Sequence, residues 1–312
     1  MISNSNEKEA RHGSIKLRSG PSGIHLFNRA SGLNVLIDEI TPPETIWAPA
    51  PRQVSIALTN ACDLACSYCY APKMHANLAY NSLVSWLDEL DCNGTIGIGF
   101  GGGEPTLYPR FADICAHATQ NTGLAVTFTT HGHHLDNALL ARIKGNVNFV
   151  RVSMDGVGTT YERLRGRQFH LLSERLVALK EIAPFGINYV VNSDTIPDIE
   201  KAAIFAEQMG ASEFLLLPES KVNGIGGIDA PTLNLLRAWI NRYTGRPRLS
   251  VSESSAEGMP VCNPFEKEGG LRGYAHINAK GLLMRTSYDE NGILIGTDGI
   301  LSALNQLKKQ RE

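Results

Sequence analysis

The sequence predicts an α/β fold: a partial (β/α)6 TIM-like barrel with a short N-terminal β-hairpin extension and a small C-terminal α+β appendage. Three observations lead there. Six β-rich runs alternate with helical patterns between residues 53 and 218, and such alternation builds right-handed parallel βαβ units. The alternation stops short of the eight units that close a barrel. The rhythm differs before and after that stretch, which divides the chain into residues 1–52, 53–218 and 219–312.

The elements follow in order. Two apolar-alternating runs, Gly23–Leu26 and Leu33–Asp38, flank the Asn-, Ser- and Gly-bearing stretch Asn28–Gly32, which is a hairpin signal. Proline-rich Thr41–Arg52 reads as an extended connector. Strands are expected at Gln53–Thr59, Thr95–Gly101, Leu124–Thr130, Phe149–Met154, Ile187–Asn192 and Glu213–Leu217. Helices are expected at Asn81–Leu90, Phe111–Asn121, Asn137–Lys144, Leu172–Ile182 and Ile199–Met209, the last stopped by Gly210. Beyond Pro218 a turn with Gly224, Gly226 and Gly227 leads to a helix at Pro231–Tyr243 and a strand near Leu249–Ser252. A hairpin of Tyr274–Ile277 and Leu282–Thr286 and a lysine-bearing helix, Ile300–Lys309, complete the chain.

Composition narrows the function classes. With 312 residues, 43% hydrophobic and 19% charged, the chain has an ordinary globular make-up rather than that of a disordered, collagen-like or coiled-coil protein. Lys and Arg number 29 against 31 Asp and Glu, so the net charge is 29 − 31 = −2. That balance argues against nucleic acid as a partner. No run approaches the ~18 apolar residues of a membrane span, and the polar start MISNSNEKEARHG lacks the apolar stretch of a signal peptide. The expectation is a cytoplasmic, reducing setting, where grouped cysteines mean metal or catalysis more often than disulfides.

Six cysteines stand at 62, 66, 69, 92, 115 and 262. Cys62, Cys66 and Cys69 form C-x3-C-x2-C directly after the first barrel strand. Three thiolates on a short loop suit an iron–sulfur cube and leave one iron open to a further ligand. A structural zinc wants four ligands, usually in two pairs, and the sequence offers no second pair. Cys92 and Cys115 fall in helical patterns and are expected in the core.

On these and the following residues the chain resembles the radical S-adenosylmethionine (SAM) superfamily. The loop has the superfamily's C-x3-C-x-aromatic-C form, with Tyr68 in the aromatic place. Phe100-Gly101-Gly102-Gly103-Glu104-Pro105 resembles the GGE motif that closes strand two. Phe128-Thr129-Thr130-His131-Gly132 stands where relatives have Thr-Asn-Gly, with His131 a departure. Arg151-Val152-Ser153-Met154-Asp155-Gly156 resembles the strand-four signature, and Tyr161–Gly166 the arginine-bearing helix after it.

The resemblance implies one [4Fe-4S] cluster held by Cys62, Cys66 and Cys69, with Tyr68 beside it. It also implies SAM on the cluster's open iron. Gly102, Gly103 and Glu104 would then receive the methionine ammonium, and Ser153 with Arg165, ahead of Arg163, the carboxylate. Asn192 would contact ribose and amino acid, and Leu216 would pack near adenine. Reductive cleavage of SAM to a 5′-deoxyadenosyl radical, fed by a flavodoxin- or ferredoxin-type reductant, would abstract hydrogen from a substrate.

Cys262-Asn263-Pro264, the segment Ala275–Gly281 and the closing helix resemble the SPASM or twitch extensions of peptide maturases and cofactor-building enzymes. Such relatives carry several cysteines there for auxiliary clusters. This stretch has one, with Met284-Arg285-Thr286 where another is expected, so a twitch shape without its metal is the reading. Cys262 is either a small apolar core residue or a hydrogen-atom donor to a substrate radical. His131, His133 and His134 do not suit a second metal, because adjacent histidines point apart; His133 or His134 is placed instead at the substrate pocket. The substrate reading is a ribosomally made peptide, its leader held by a separate protein or added as a strand to the prelude hairpin. A small-molecule or sugar intermediate is the alternative. A non-catalytic iron–sulfur electron carrier is the alternative of another class, and it would leave Glu104, Ser153 and Arg165 without use.

Overall fold

The computed structural model describes residues 15–72, 74–221, 226–252 and 256–310. Gly224 of the expected glycine turn, and the polar start up to residue 14, lie outside the described residues. The prelude forms an antiparallel sheet of β1 (Lys16–Gly20), β2 (Gly23–Asn28) and β3 (Leu33–Ile37). The expected hairpin is β2–β3, and β1 is an addition to it.

The main sheet contains β4 (Gln53–Thr59), β5 (Gly97–Gly102), β6 (Ala125–Thr130), β7 (Phe149–Ser153), β8 (Phe185–Val191) and β9 (Glu213–Pro218). To these it adds β10 (Arg248–Val251), β11 (Tyr274–Ile277), β12 (Leu282–Met284) and β13 (Ile293–Leu294), in the order β10-β9-β8-β7-β6-β5-β4-β11-β12-β13. Every pairing from β10 to β11 is parallel. The parallel set therefore gains β10 at one edge and β11 at the other, two strands beyond the six expected. Ladder hydrogen bonds run on past residue 218, and the C-terminal region completes both edges of the barrel sheet. Among the described residues β10 and β11 do not pair, so the barrel stays open.

Helices α1 (Tyr80–Cys92), α2 (Phe111–Asn121) and α3 (Asn137–Ile143) follow β4, β5 and β6, α4 (Thr159–Arg165) and α5 (Phe169–Lys180) both follow β7, and α6 (Ile199–Met209) follows β8, with α7 (Ala230–Ile240) and α8 (Gly299–Lys309) after them. The core lies between these helices and the convex side of the sheet. Strand alternation assigns it: Val54, Ile56 and Leu58 of β4 are fully buried, whereas Gln53 and Ser55 point to the concave side and line a cavity. Leu83, Leu87 and Leu90 of α1 and Leu172, Leu176 and Leu179 of α5 are likewise fully buried, each such side chain contributing about 1.5–3 kcal/mol. Cys115 belongs to this core. Cys92 does not: it is exposed, since it lies about 200° round the helix from buried Leu90. Helix α8 docks on α1 through Glu89, whose carboxylate accepts hydrogen bonds from the N–H groups of Ile300 (2.7 Å) and Leu301 (3.0 Å).

The prelude sheet covers the N-terminal end of the barrel. Arg18 donates to the carbonyls of Ala50 and Gly94 (both 2.9 Å) and Arg272 (3.1 Å), and Arg29 donates to that of Leu124 (2.8 Å). These carbonyls precede β4, β5, β11 and β6. Glu268 fixes the arrangement, pairing with Arg18 (3.3 Å) and Arg52 (2.6 Å). No helix among the described residues is long and apolar enough to cross a membrane.

Candidate active site

The C-terminal ends of the parallel strands surround a cavity of about 450 Å³. Polar side chains reach it from the strands: Gln53 and Ser55 on β4, Thr127 and Thr129 on β6, Arg151 and Ser153 on β7 and Asn188 on β8. On β5 the inward positions Gly97, Gly99 and Gly101 have no side chain. A methyl at Gly101 would meet nothing within 4 Å, so this strand keeps the cavity open.

Cys62, Cys66 and Cys69 lie on the loop after β4, all three free, partly exposed and lining the cavity. The loop is anchored to the end of β5: Gly103 N–H donates to the Thr59 carbonyl (2.8 Å), and Glu104 N–H to the Ala61 carbonyl (2.7 Å). This approach explains two glycines. A Cβ on Gly102, whose φ is +123°, would lie 2.1 Å from the Thr59 oxygen, and one on Gly103 would lie 2.3 Å from the Ala61 oxygen. Gly102 and Gly103 thus serve the cysteine loop before any ligand.

Asp63 holds the loop from its other side. It accepts from His131 Nε2 (2.9 Å) and Arg167 (2.9 Å), and His134 Nε2 lies 3.2 Å away. Burial alone would raise this carboxyl, but the bonds from Arg167 and the two histidines keep it well below the usual carboxylate range. Cys62, Asp63 and His131 have donor atoms within 4.8 Å of one another. Both ring nitrogens of His131 are already committed, however, with Nδ1 accepting the His133 N–H at 3.1 Å, so His131 serves the loop. Burial, reinforced by Glu104 and Asp63, pushes the Cys62 thiol up.

Glu104 is buried. Its Oε1 accepts from Thr106 Oγ1 (2.6 Å), Thr130 Oγ1 (2.8 Å) and Thr106 N–H (3.2 Å), and its Oε2 from His131 N–H (2.9 Å). The remaining acceptor capacity is on Oε2. Ser153 lines the cavity. Arg165 lines it too, its guanidinium bonded to Asp155 and its Nε buried without a partner. Arg163 points to solvent and pairs with Asp194 (2.9 Å).

Five residues weighed for the site fall elsewhere. Leu216 is fully buried on the far face of β9, and Leu217 lines the cavity in its place, because successive strand residues alternate faces. Asn192 turns away to donate to Glu219 (2.7 Å), and it is Glu219 that lines the cavity. His133 bonds the Tyr161 hydroxyl at 2.8 Å, and neither it nor His134 lines the cavity. Burial lowers His133 to about 4. Cys262 is exposed, and it lines a separate cavity of about 500 Å³ outside the barrel with Leu216 and Met259. It is neither a buried core residue nor a neighbour of the cysteine loop, since the loop carrying it follows the outer edge strand β10.

Sequence reasoning missed the contribution of β11. Tyr274 and His276 enter the cavity wall, where Ser55 Oγ bonds the Tyr274 hydroxyl (2.5 Å) and His276 Nδ1 (2.6 Å). Burial lowers His276 to about 4. The alternation of polar and apolar residues in β4 and β11 was the available signal. At the mouth the rings of Tyr70 and Tyr288 meet tilted at 46°, with centroids 4.8 Å apart.

The donor set fits an iron–sulfur cluster, with three soft thiolates on one loop. The unpartnered Arg165 Nε and the Ser153 hydroxyl fit an anionic group beside it.

Residues 56–204 match the family model described as the Radical SAM superfamily. The chain is 29% identical over 187 residues to the sporulation killing factor maturation protein SkfB of Bacillus subtilis (strain 168), across 56% of this chain and 45% of SkfB. It is 26% identical over 156 residues to the Fe-coproporphyrin III synthase of Methanosarcina barkeri, across 46% of this chain and 37% of that protein. These matches span less than half of each relative. The crystal structure of Streptococcus suis SuiB bound to S-adenosylmethionine has the same fold, with a TM-score of 0.71 over 88% of this chain and 81% of that one, at 15% identity.

Proposed function

We propose, from the match of residues 56–204 to the Radical SAM superfamily model, that the chain is a radical SAM enzyme, that Cys62, Cys66 and Cys69 bind its [4Fe-4S] cluster and that a peptide is its substrate. The observation that carries the reading is the meeting of three free thiols with Glu104, Ser153 and the unpartnered Nε of Arg165 around one cavity. Superfamily membership implies the cluster and SAM, and together these supply one-electron chemistry that leads to hydrogen abstraction from the substrate.

The chain's own residues bind and orient. Arg165 and the Ser153 hydroxyl donate to the SAM carboxylate, and Glu104 Oε2 accepts from its ammonium group. Asp63, gripped by His131 and Arg167, fixes the loop that presents the thiols. Gly99 and Gly101 leave room for the substrate beneath, and Ser55, Arg151 and Asn188 offer it hydrogen bonds. A flavodoxin- or ferredoxin-type protein supplies electrons, and the cytoplasm keeps the thiols reduced.

Similarity to SkfB, a maturation protein, supports the peptide reading. The prelude sheet lies at the end of the barrel opposite the cysteine loop, so we assign leader recognition to a separate protein rather than to strand addition there. Similarity to Fe-coproporphyrin III synthase favours a second reading, a small-molecule intermediate.

Anaerobic reconstitution, reduction with dithionite and assay for 5′-deoxyadenosine test the chemistry. Product is expected, and its absence from protein with a full cluster overturns the reading. With a precursor peptide encoded beside the gene, a mass change in the peptide is expected. Continued 5′-deoxyadenosine release with the peptide unaltered favours the small molecule.

A further inference from the structure

One buried carboxylate behind the cavity lining is shared by three elements. Asp155, two residues beyond β7, is fully buried. Its Oδ1 accepts the Val190 N–H of β8 at 2.8 Å. Its Oδ2 accepts the Tyr68 hydroxyl of the cysteine loop at 2.6 Å and also the Arg165 guanidinium at the end of α4. These bonds are internal, and Asp155 is not among the residues lining the cavity. It meets a ligand only through Arg165.

We propose that Asp155 is a positioning residue: it fixes the plane of Arg165 for the SAM carboxylate and, through Tyr68, ties that plane to the position of the cysteine loop. This rests on the SAM reading of the cavity given above. A guanidinium is a rigid planar fork, so fixing one edge fixes the direction of every other N–H. Asp155 takes one edge of Arg165, and Nε is the donor left buried and unpartnered. Tyr68 stands between Cys66 and Cys69 in the chain, so its bond to Asp155 relates thiol placement to arginine placement. Burial would weaken the charge on Arg165, and Asp155 more than restores it. Asp155→Asn keeps the size but turns an NH2 group towards two donors, Tyr68 and Arg165, or else towards the Val190 N–H.

The test measures equilibrium binding of S-adenosylhomocysteine, which keeps the amino-acid carboxylate. The proteins are reconstituted wild type, D155N, Y68F and the double variant, with iron content and the EPR spectrum of the reduced cluster with and without SAM. D155N is expected to bind about tenfold more weakly or worse, with a smaller SAM-induced EPR change and KM raised more than kcat is lowered. Y68F is expected to weaken binding too, and the double variant to match D155N within about twofold, because both act through one contact. D155N affinity within about twofold of wild type at full iron content overturns the proposal, and so do fully additive effects. If D155N takes up no cluster, Y68F decides, and an unchanged affinity there overturns it. Wild type that binds no S-adenosylhomocysteine overturns the SAM reading itself. Wild type that binds alongside unaffected variants overturns only the role of Asp155.

Discussion

Neighbouring glycines at the end of β5 carry opposite predictions. At Gly102 a methyl would sit 2.1 Å from the Thr59 carbonyl oxygen, on a residue with φ of +123°. The backbone strain costs about 1–3 kcal/mol and the forced displacement about 1–3 kcal/mol more. Gly102→Ala is therefore expected to lose about 2–6 kcal/mol, or about 4–12 °C in Tm at the low end of the usual conversion for long chains. Gly103→Ala carries the overlap with the Ala61 oxygen, 2.3 Å away, without a positive φ, and should lose about 1–3 kcal/mol. Gly101→Ala meets no atom within 4 Å and should leave Tm within about 1 °C while narrowing the cavity. Thermal unfolding of the three variants, with iron content after reconstitution, checks the series. Because the Gly103 and Glu104 amides anchor the cysteine loop, Gly102→Ala should also lose iron. A Gly102→Ala protein with wild-type Tm and full iron would refute the reasoning. So would a Gly101→Ala protein equally unstable, since the demand for glycine would then belong to the strand and not to the loop beside it.

Other perturbations follow from the same geometry. Cys262→Ala should leave turnover and stability unchanged within about 0.5 kcal/mol, because the thiol is exposed outside the barrel; loss of product with SAM cleavage intact would restore it as a hydrogen donor. His276 is held near 4 against 6.5 when unfolded, so the unfolded chain binds the extra proton and stability falls as pH drops from about 6.5 towards 4. Urea unfolding should show wild type losing about 2 kcal/mol more than His276→Gln between pH 7 and pH 5, and equal losses would contradict a buried neutral imidazole. Glu268→Ala strands Arg18, 2% exposed, and Arg52 without their partner and should cost about 3–5 kcal/mol, with Glu268→Gln costing less. Denaturant midpoints compare the two.

Much of the fold was legible because local signals are strong where periodicity and caps agree. Helices α2 and α6 have the bounds expected, Phe111–Asn121 and Ile199–Met209, and Gly210 ends the latter in the left-handed conformation that a side chain resists, at φ +84°. The motif residues at strand ends were legible for the same reason, since strand ends fix where Cys62, Glu104 and Ser153 emerge. What escaped was non-local. Strands β10 and β11 have four residues each, and nothing in so short a run says that β10 will pair with β9, or β11 with β4 from the other end of the chain. Leu216 and Leu217 show a finer limit: a shift of one residue exchanges the faces of a strand. Asp155 was visible inside a motif, but its sharing by Tyr68, Val190 and Arg165 is a three-dimensional fact.

The pattern along β4 and β6 carries a deeper argument. Closed barrels of this type fill their interior with layers of branched apolar side chains, so the interior is itself a core. Here the apolar residues Val54, Ile56, Val126 and Phe128 are on the convex side, buried under helices, and the concave side receives Gln53, Ser55, Thr127 and Thr129. Burial of apolar surface thus occurs on one face of the sheet, and ligand recognition falls to the other. Residues on the concave face contribute little to the hydrophobic term, which leaves them free to be chosen for chemistry. Because β11 extends this same sheet beside β4, Tyr274 and His276 from the C-terminal region stand on the concave face with Ser55. The C-terminal region is therefore a wall of the site, and the boundary seen at residue 218 in the sequence separates rhythms of the chain without separating functions.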